Sequence, residues 1–256
     1  MYTPSERDRI RAGILDRARQ DARLSGGAMT GSAAGGTEDE WSDIDLAFGV
    51  KRTSDVATVL ADYSAYMYEH HDVTHHVDVL AGARIYRVFL LPNTLQVDLA
   101  FVTEDEFGAR APTFRLLFGT SSEISRITPP LASALIGWAW LYALHARSSL
   151  ARGKLWQAEF MVSAMRDQSF ALSCLRHDLP TPNGRGMDRL PAELRKRYEA
   201  ALVRAIAADE IGRAFRAATE ITLDEVAHVD RALEGRLRPV MLALTQSWRA
   251  RDPARP

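Results

Sequence analysis

The first half of the chain alternates between helical and strand periodicity. Thr3 and Pro4 suit the cap and first turn of a helix. Ile10, Ile14, Ala18 and Leu24 recur near one face, which predicts a helix over 4–24. Ser25-Gly26-Gly27 would stop it, and a short strand over 28–33 would lead into Gly35-Gly36. The next apolar run predicts a strand over 44–50, and Val56, Val59, Leu60, Tyr63 and Tyr66 predict a helix over 54–70. Strand-like runs follow at 74–80, 83–91 and 95–102; Pro92-Asn93-Thr94 is turn chemistry, so the last two form a hairpin. Beyond Thr128-Pro129-Pro130 everything reads as helix: 131–149, 153–177, 191–206, 208–219 and 223–249, with the turn-rich loop DLPTPNGRGMDRLP between the second and third. The pattern predicts an α+β protein, with a mixed sheet and flanking helices over 1–128 followed by a helical bundle over 129–256.

Composition narrows the partners. A net charge of −1 over 256 residues gives no broad basic face, which argues against a nucleic acid as the main partner. Cys174 is the one cysteine, so no internal disulfide forms, and its setting, FALSCL, predicts a buried inert thiol. The N-terminus lacks the apolar core of a signal peptide, and the most apolar run, 131–144, is too short to span a bilayer. A soluble, cytoplasmic protein is expected. Arginine greatly outnumbers lysine; Lys51, Lys154 and Lys196 are the lysines, so a retained lysine draws more interest than an arginine.

The chemistry concentrates in the stretch GSAAGGTEDEWSDIDLAF, residues 31–48. In a strand, residues two apart share a face, so Asp43 and Asp45 project together while Ile44 and Leu46 enter the core. Two carboxylates that close repel each other unless positive charge sits between them, and magnesium uses one or two carboxylates plus substrate phosphates. In LQVDLAFV, Val97, Leu99 and Phe101 alternate on one face and Asp98 lies on the other with Ala100. Asp is disfavoured in so apolar a strand. If the hairpin lies beside the strand of Asp43 and Asp45, three carboxylates meet. Gly31-Ser32 offers a turn whose backbone and hydroxyl can approach phosphate oxygens.

This ordered set, Gly31-Ser32, then Asp43-x-Asp45 between apolar residues, then Asp98 on a later strand, resembles the DNA polymerase β-type nucleotidyltransferase superfamily. The resemblance covers residues 28–102. It implies two Mg2+ ions held by Asp43, Asp45 and Asp98, phosphates held by Gly31 and Ser32, and ATP or another NTP as co-substrate. The helical half resembles that of antibiotic nucleotidyltransferases, which transfer AMP or another nucleotide to a hydroxyl of an aminoglycoside or lincosamide. That implies a small-molecule hydroxyl acceptor and leaves a homodimer open. Gly153-Lys154, in RGKLWQAEF, matches a lysine that contacts the triphosphate in relatives, with Arg152 beside it; the alternative is a solvated lysine at a helix start. The general base would be Asp98 or Glu159, the latter being otherwise a surface residue or a partner of Arg152 or Arg166. Trp156 is a candidate for stacking on a ligand ring.

Other groups read as structural. Glu69, His70, His71, His75 and His76 fit no standard zinc spacing and fall at a helix-to-strand turn, so a solvated loop is expected. Glu38, Asp39 and Glu40 read as an acidic loop, with attraction of a cationic substrate as the alternative, and Glu104, Asp105 and Glu106 share that ambiguity. Trp138, Trp140 and Tyr142 are expected in a helix core. Two rival functions stand beside small-molecule transfer: nucleotidylation of a protein or RNA partner, and binding of nucleotide or drug without turnover.

Overall fold

The computed structural model describes residues 1–81, 84–125 and 128–248; Ala83, expected to open a strand, and Arg249, expected to end the last helix, lie outside the described residues. The chain divides into two compact units, Met1–Ile127 and Thr128–Pro256.

The first unit is built from α1 (Pro4–Gln20), β1 (Leu24–Thr30), the single turn α2 (Gly31–Gly35), β2 (Ile44–Val50), α3 (Val56–His71), β3 (His75–Ala81), β4 (Arg84–Leu90), β5 (Gln96–Thr103) and β6 (Phe114–Gly119). Thr3 and Glu6 close a reciprocal capping box at the start of α1. The sheet runs in the order β3-β4-β5-β2-β1-β6, with β2 and β5 parallel and every other pair antiparallel. Strand alternation gives it two unlike faces. Ile44, Leu46 and Phe48 of β2 and Val97, Leu99 and Phe101 of β5 are buried together with Ile14 and Ala18 of α1 and Val59, Tyr63 and Met67 of α3. Each buried Val, Leu, Ile, Phe or Met among them contributes roughly 1.5–3 kcal/mol by leaving water. The opposite face carries Asp45, Ala47, Asp98 and Ala100, and a smaller apolar cluster of Ala28, Val102 and Phe107 with Phe114 packed on it.

Three boundaries depart from the periodicity. Helix α1 ends at Gln20, and Leu24 opens β1, which runs through Ser25-Gly26-Gly27. Those glycines are strand residues because a neighbour occupies the side-chain space: a Cβ on Gly27 would stand 2.3 Å from the Phe118 ring, and one on Gly26 2.7 Å from the Thr120 carbonyl. The segment 31–33, expected as strand, instead forms the turn α2. Strand β6, an edge strand beside β1, has no counterpart in the sequence expectation.

The second unit comprises α4 (Ala132–Ala151), α5 (Leu155–Arg176), α6 (Ala192–Glu199), α7 (Ala208–Val229) and α8 (Arg231–Leu244). An alanine stripe on α4, Ala139, Ala143 and Ala146, shares a core with Val162 and Met165 of α5 and Ile211, Phe215 and Ala218 of α7. The break expected at 220–222 is absent. Thr222 stays helical, donating its hydroxyl to the Ala218 carbonyl at 2.7 Å and meeting Ser169 at 2.6 Å. The chain turns instead at Asp230, whose carboxylate caps α8 through the amides of Ala232 and Leu233. Helix α6 stops at Glu199, short of the expected 206. Trp138 and Trp140 are not core: they are 52% and 39% exposed, because the alanine stripe takes the inward face of α4, and Trp138 stacks on half-buried Tyr142. Cys174 is buried, and burial pushes its thiol up, as expected of an inert residue. Among the described residues no helix is long and apolar enough to cross a membrane.

Candidate active site

Parallel pairing of β2 with β5 sets Asp45 directly opposite Asp98, with Asp43 just ahead of β2. One carboxylate oxygen from each of the three lies within 4.8 Å of the others, the one such grouping of potential metal ligands among the described residues. All three are half-buried. The strand alternation that drives Ile44, Leu46, Val97 and Leu99 into the core leaves these carboxylates no other direction.

Gly31 closes the site from the β1 side. Its φ is +61°, in the left-handed region, and a Cβ there would stand 2.0 Å from Asp45 Oδ2. Only glycine permits both the backbone conformation and the approach of that carboxylate. Ser32 follows in the first turn of α2 and is half-buried.

Two residues that the sequence did not single out complete the geometry. Gln96, two positions before Asp98 on the same strand face, donates its amide to Asp98 Oδ1 at 2.9 Å and to Asp43 Oδ2 at 3.3 Å. Arg7 of α1 is buried and donates to the Ser42 carbonyl at 3.1 Å, while Tyr2 donates to the same oxygen at 3.0 Å. The residue immediately before Asp43 is therefore held from α1. No local pattern marks either role, since each depends on a contact across the fold.

The electrostatics fit a site built for a cation. Burial pushes Asp98 up from its usual 3.8 to about 6, opposed by the Gln96 hydrogen bond and reinforced by the Asp43 charge. The Gln96 amide is neutral, so it relieves only part of the repulsion between Asp43 and Asp98. Hard oxygen donors in this number suit Mg2+, which takes carboxylates and completes its shell with water and phosphate.

The remaining candidates belong to other elements of the chain. Arg152 and Lys154 are exposed in the turn between α4 and α5, where Gly153 has φ +67°. Trp156 is 75% exposed in the first turn of α5, and half-buried Glu159 accepts from Ser163 Oγ at 2.7 Å. The acidic loop is not a free anionic surface: Glu38 pairs with Arg7 at 3.1 Å and with Arg11 at 2.5 Å, and the Asp39 carboxylate accepts from Ser42 Oγ and the Trp41 amide. Those hydrogen bonds hold Asp39 below the usual carboxylate range. Glu106 pairs with Arg110 at 2.5 Å. His76 meets Tyr68 and His70 meets the Tyr66 carbonyl, while burial lowers His71. The histidines form no metal-binding group among the described residues.

No family model matches the chain, and no curated protein matches it. Among solved structures it is similar to an aminoglycoside 6-adenyltransferase from Bacillus subtilis, at 12% identity over 90% of this chain and 95% of that one. The TM-score is 0.41, too low to carry a shared mechanism, so the function is read from the residues above.

Proposed function

We propose that the protein is a Mg2+-dependent nucleotidyltransferase that moves NMP, AMP in the first instance, from an NTP to a hydroxyl of a small molecule. The observation that carries this reading is the convergence of Asp43, Asp45 and Asp98, with Gly31 pressed against Asp45. Asp43, Asp45 and Asp98 would hold the cation, which supplies charge neutralisation of the phosphates and acidifies the attacking hydroxyl. Gly31 and Ser32 receive phosphate oxygens. The acceptor oxygen attacks the α-phosphorus, the bond from that phosphorus to the bridging oxygen of the β-phosphate breaks, and pyrophosphate leaves opposite the incoming oxygen. The hydroxyl proton passes to a carboxylate. Asp98 suits this role by position, its carboxylate meeting those of Asp43 and Asp45 where the acceptor oxygen would enter. Lys154 and Arg152 are assigned to triphosphate neutralisation, Trp156 to ring stacking and Glu159 to acceptor binding or the alternative base. An aminoglycoside-like or lincosamide-like antibiotic is the acceptor class, on the sequence resemblance.

The test is a panel of such acceptors with each NTP and Mg2+, read by acceptor mass and pyrophosphate release. A mass increase of one nucleotidyl group is expected. Pyrophosphate-coupled labelling of a protein or RNA, with no small-molecule product, would replace the acceptor assignment. Tight nucleotide binding with no turnover on any acceptor would replace the enzyme with a binder.

A further inference from the structure

Beside the three carboxylates, on the same sheet face, lies a cavity of about 150 Å³ within the first unit. Its floor is Ala47 and Ala100, which pair across β2 and β5 and stand two residues beyond Asp45 and Asp98. Thr30, immediately before Gly31, borders it on β1, and Tyr86, paired with Ala100, borders it on β4. Phe114 and Arg110 complete the wall. Arg110 gives one guanidinium nitrogen to Glu106, but its Nε is buried and has no hydrogen-bond partner among the described residues. A buried N–H without an acceptor is costly, and a ligand carrying an acceptor atom would relieve it.

The direction of the cavity identifies the ligand. In an in-line displacement the incoming and departing oxygens lie on opposite sides of the α-phosphorus. Gly31-Ser32 stands on the β1 side of Asp45 and Asp98 on the β5 side, so that line crosses the strands. The nucleoside leaves the α-phosphate off this line, and the strands offer it one such direction. Toward the C-terminal ends of β2 and β5 the first positions met are Ala47 and Ala100. They lie ~7 Å on, two residues of strand rise. That distance leaves room for a ribose between phosphate and base, and the two methyl side chains take up little of the cavity above them. Tyr86 and Phe114 offer aromatic surface to a planar ring. A polycationic acceptor would find no acidic lining beyond the already paired Glu106.

We propose that this cavity is the nucleobase site, with the base lying over Ala47 and Ala100 and taking a hydrogen bond from Arg110 Nε. The proposal rests on the nucleotidyl-transfer reading and adds to it the part of the protein that distinguishes one NTP from another.

The test measures binding of tripolyphosphate and of each of the four NTPs to the full chain with Mn2+, by calorimetry. At least one NTP should bind about tenfold or more tighter than tripolyphosphate, the increment expected of a stacked base. Ala100→Leu should erase that advantage and leave tripolyphosphate binding unchanged, and Arg110→Met should reduce the advantage several-fold. If Ala100→Leu does not fold, Tyr86→Ala, which opens the cavity rather than filling it, should also cut the advantage. Tripolyphosphate bound as tightly as every NTP, or an NTP advantage that survives these substitutions, overturns the base site and leaves the transfer reading intact. Failure of both tripolyphosphate and all NTPs to bind overturns the two together.

Discussion

Two carboxylates withdrawn from water, one in each unit, are treated in opposite ways. Glu225 of α7 is 2% exposed and receives two hydrogen bonds from Arg176 of α5, at 2.8 and 3.0 Å. Its charge is balanced by the chain itself, in the planar bidentate geometry that guanidinium favours. Asp98 of β5 is half-buried, faces Asp43 and Asp45, and receives from Gln96 a neutral amide. At Glu225 folding supplies a full counter-charge, whereas at Asp98 the hydrogen bond comes from a neutral amide beside two further carboxylates. On the proposed reading a cation from outside the chain would balance Asp98, so the kind of partner each carboxylate receives distinguishes the two sites where burial alone does not.

The largest test of this contrast is Asp45→Asn. Transfer should fall by about a thousandfold or more, comparable to loss of a principal electrostatic element, while the variant still folds, as checked by circular dichroism. Unchanged pyrophosphate release would remove the cation assignment. On the other side, Arg176→Met strands Glu225 and should cost about 3 kcal/mol of unfolding free energy, measured by urea denaturation. The double substitution Arg176→Met with Glu225→Leu should regain most of that loss, since a buried pair replaced by apolar groups is often neutral. A double variant as unstable as the single would mean that the pair contributes more than mutual compensation.

The third test is pH. The folded state holds the Asp98 proton more tightly than the unfolded chain does, so its contribution to stability is complete below about pH 4 and is lost as pH rises through about 6. The difference in unfolding free energy between the native protein and Asp98→Asn, both metal-free, should therefore change across that interval by at most about 3 kcal/mol. Saturating Mg2+ should reverse the sign of the change, because a bound cation favours the ionised carboxylate. A flat difference would show that Asp98 is already balanced. The smallest effect is expected from Gln96→Leu: removing a donor that favours the ionised form should move the Asp98 titration to higher pH, as followed by carboxyl NMR shifts.

Legibility in the sequence followed the range of the interactions. Strand β2 and the β4–β5 hairpin were legible because strict alternation around Asp45 and Asp98 left one register that kept Ile44, Leu46, Val97 and Leu99 inside, and the α+β class followed from the change of period near residue 128. Strand β1 was not, because Gly26 and Gly27 look like a stop signal and are there for Phe118 and Thr120, residues about ninety positions away in sequence. Strand β6 escaped because its outer edge is exposed and its residues carry no alternation. Gln96 and Arg7 escaped for the same long-range reason. Trp138 and Trp140 misled in the opposite sense: large rings on an apolar helix suggest core, yet alanines took the packed face.

The tether on Ser42 makes the amino-terminal helix part of the site's foundation. Asp43 has no strand of its own to anchor it; its position is set by Tyr2 and Arg7, which grip the carbonyl just upstream, and by the Arg7 and Arg11 contacts to Glu38. A chain shortened by its first dozen residues would keep all three carboxylates and lose the fixed position of one. Trimming that looks harmless from the sequence would then loosen a carboxylate some forty residues downstream.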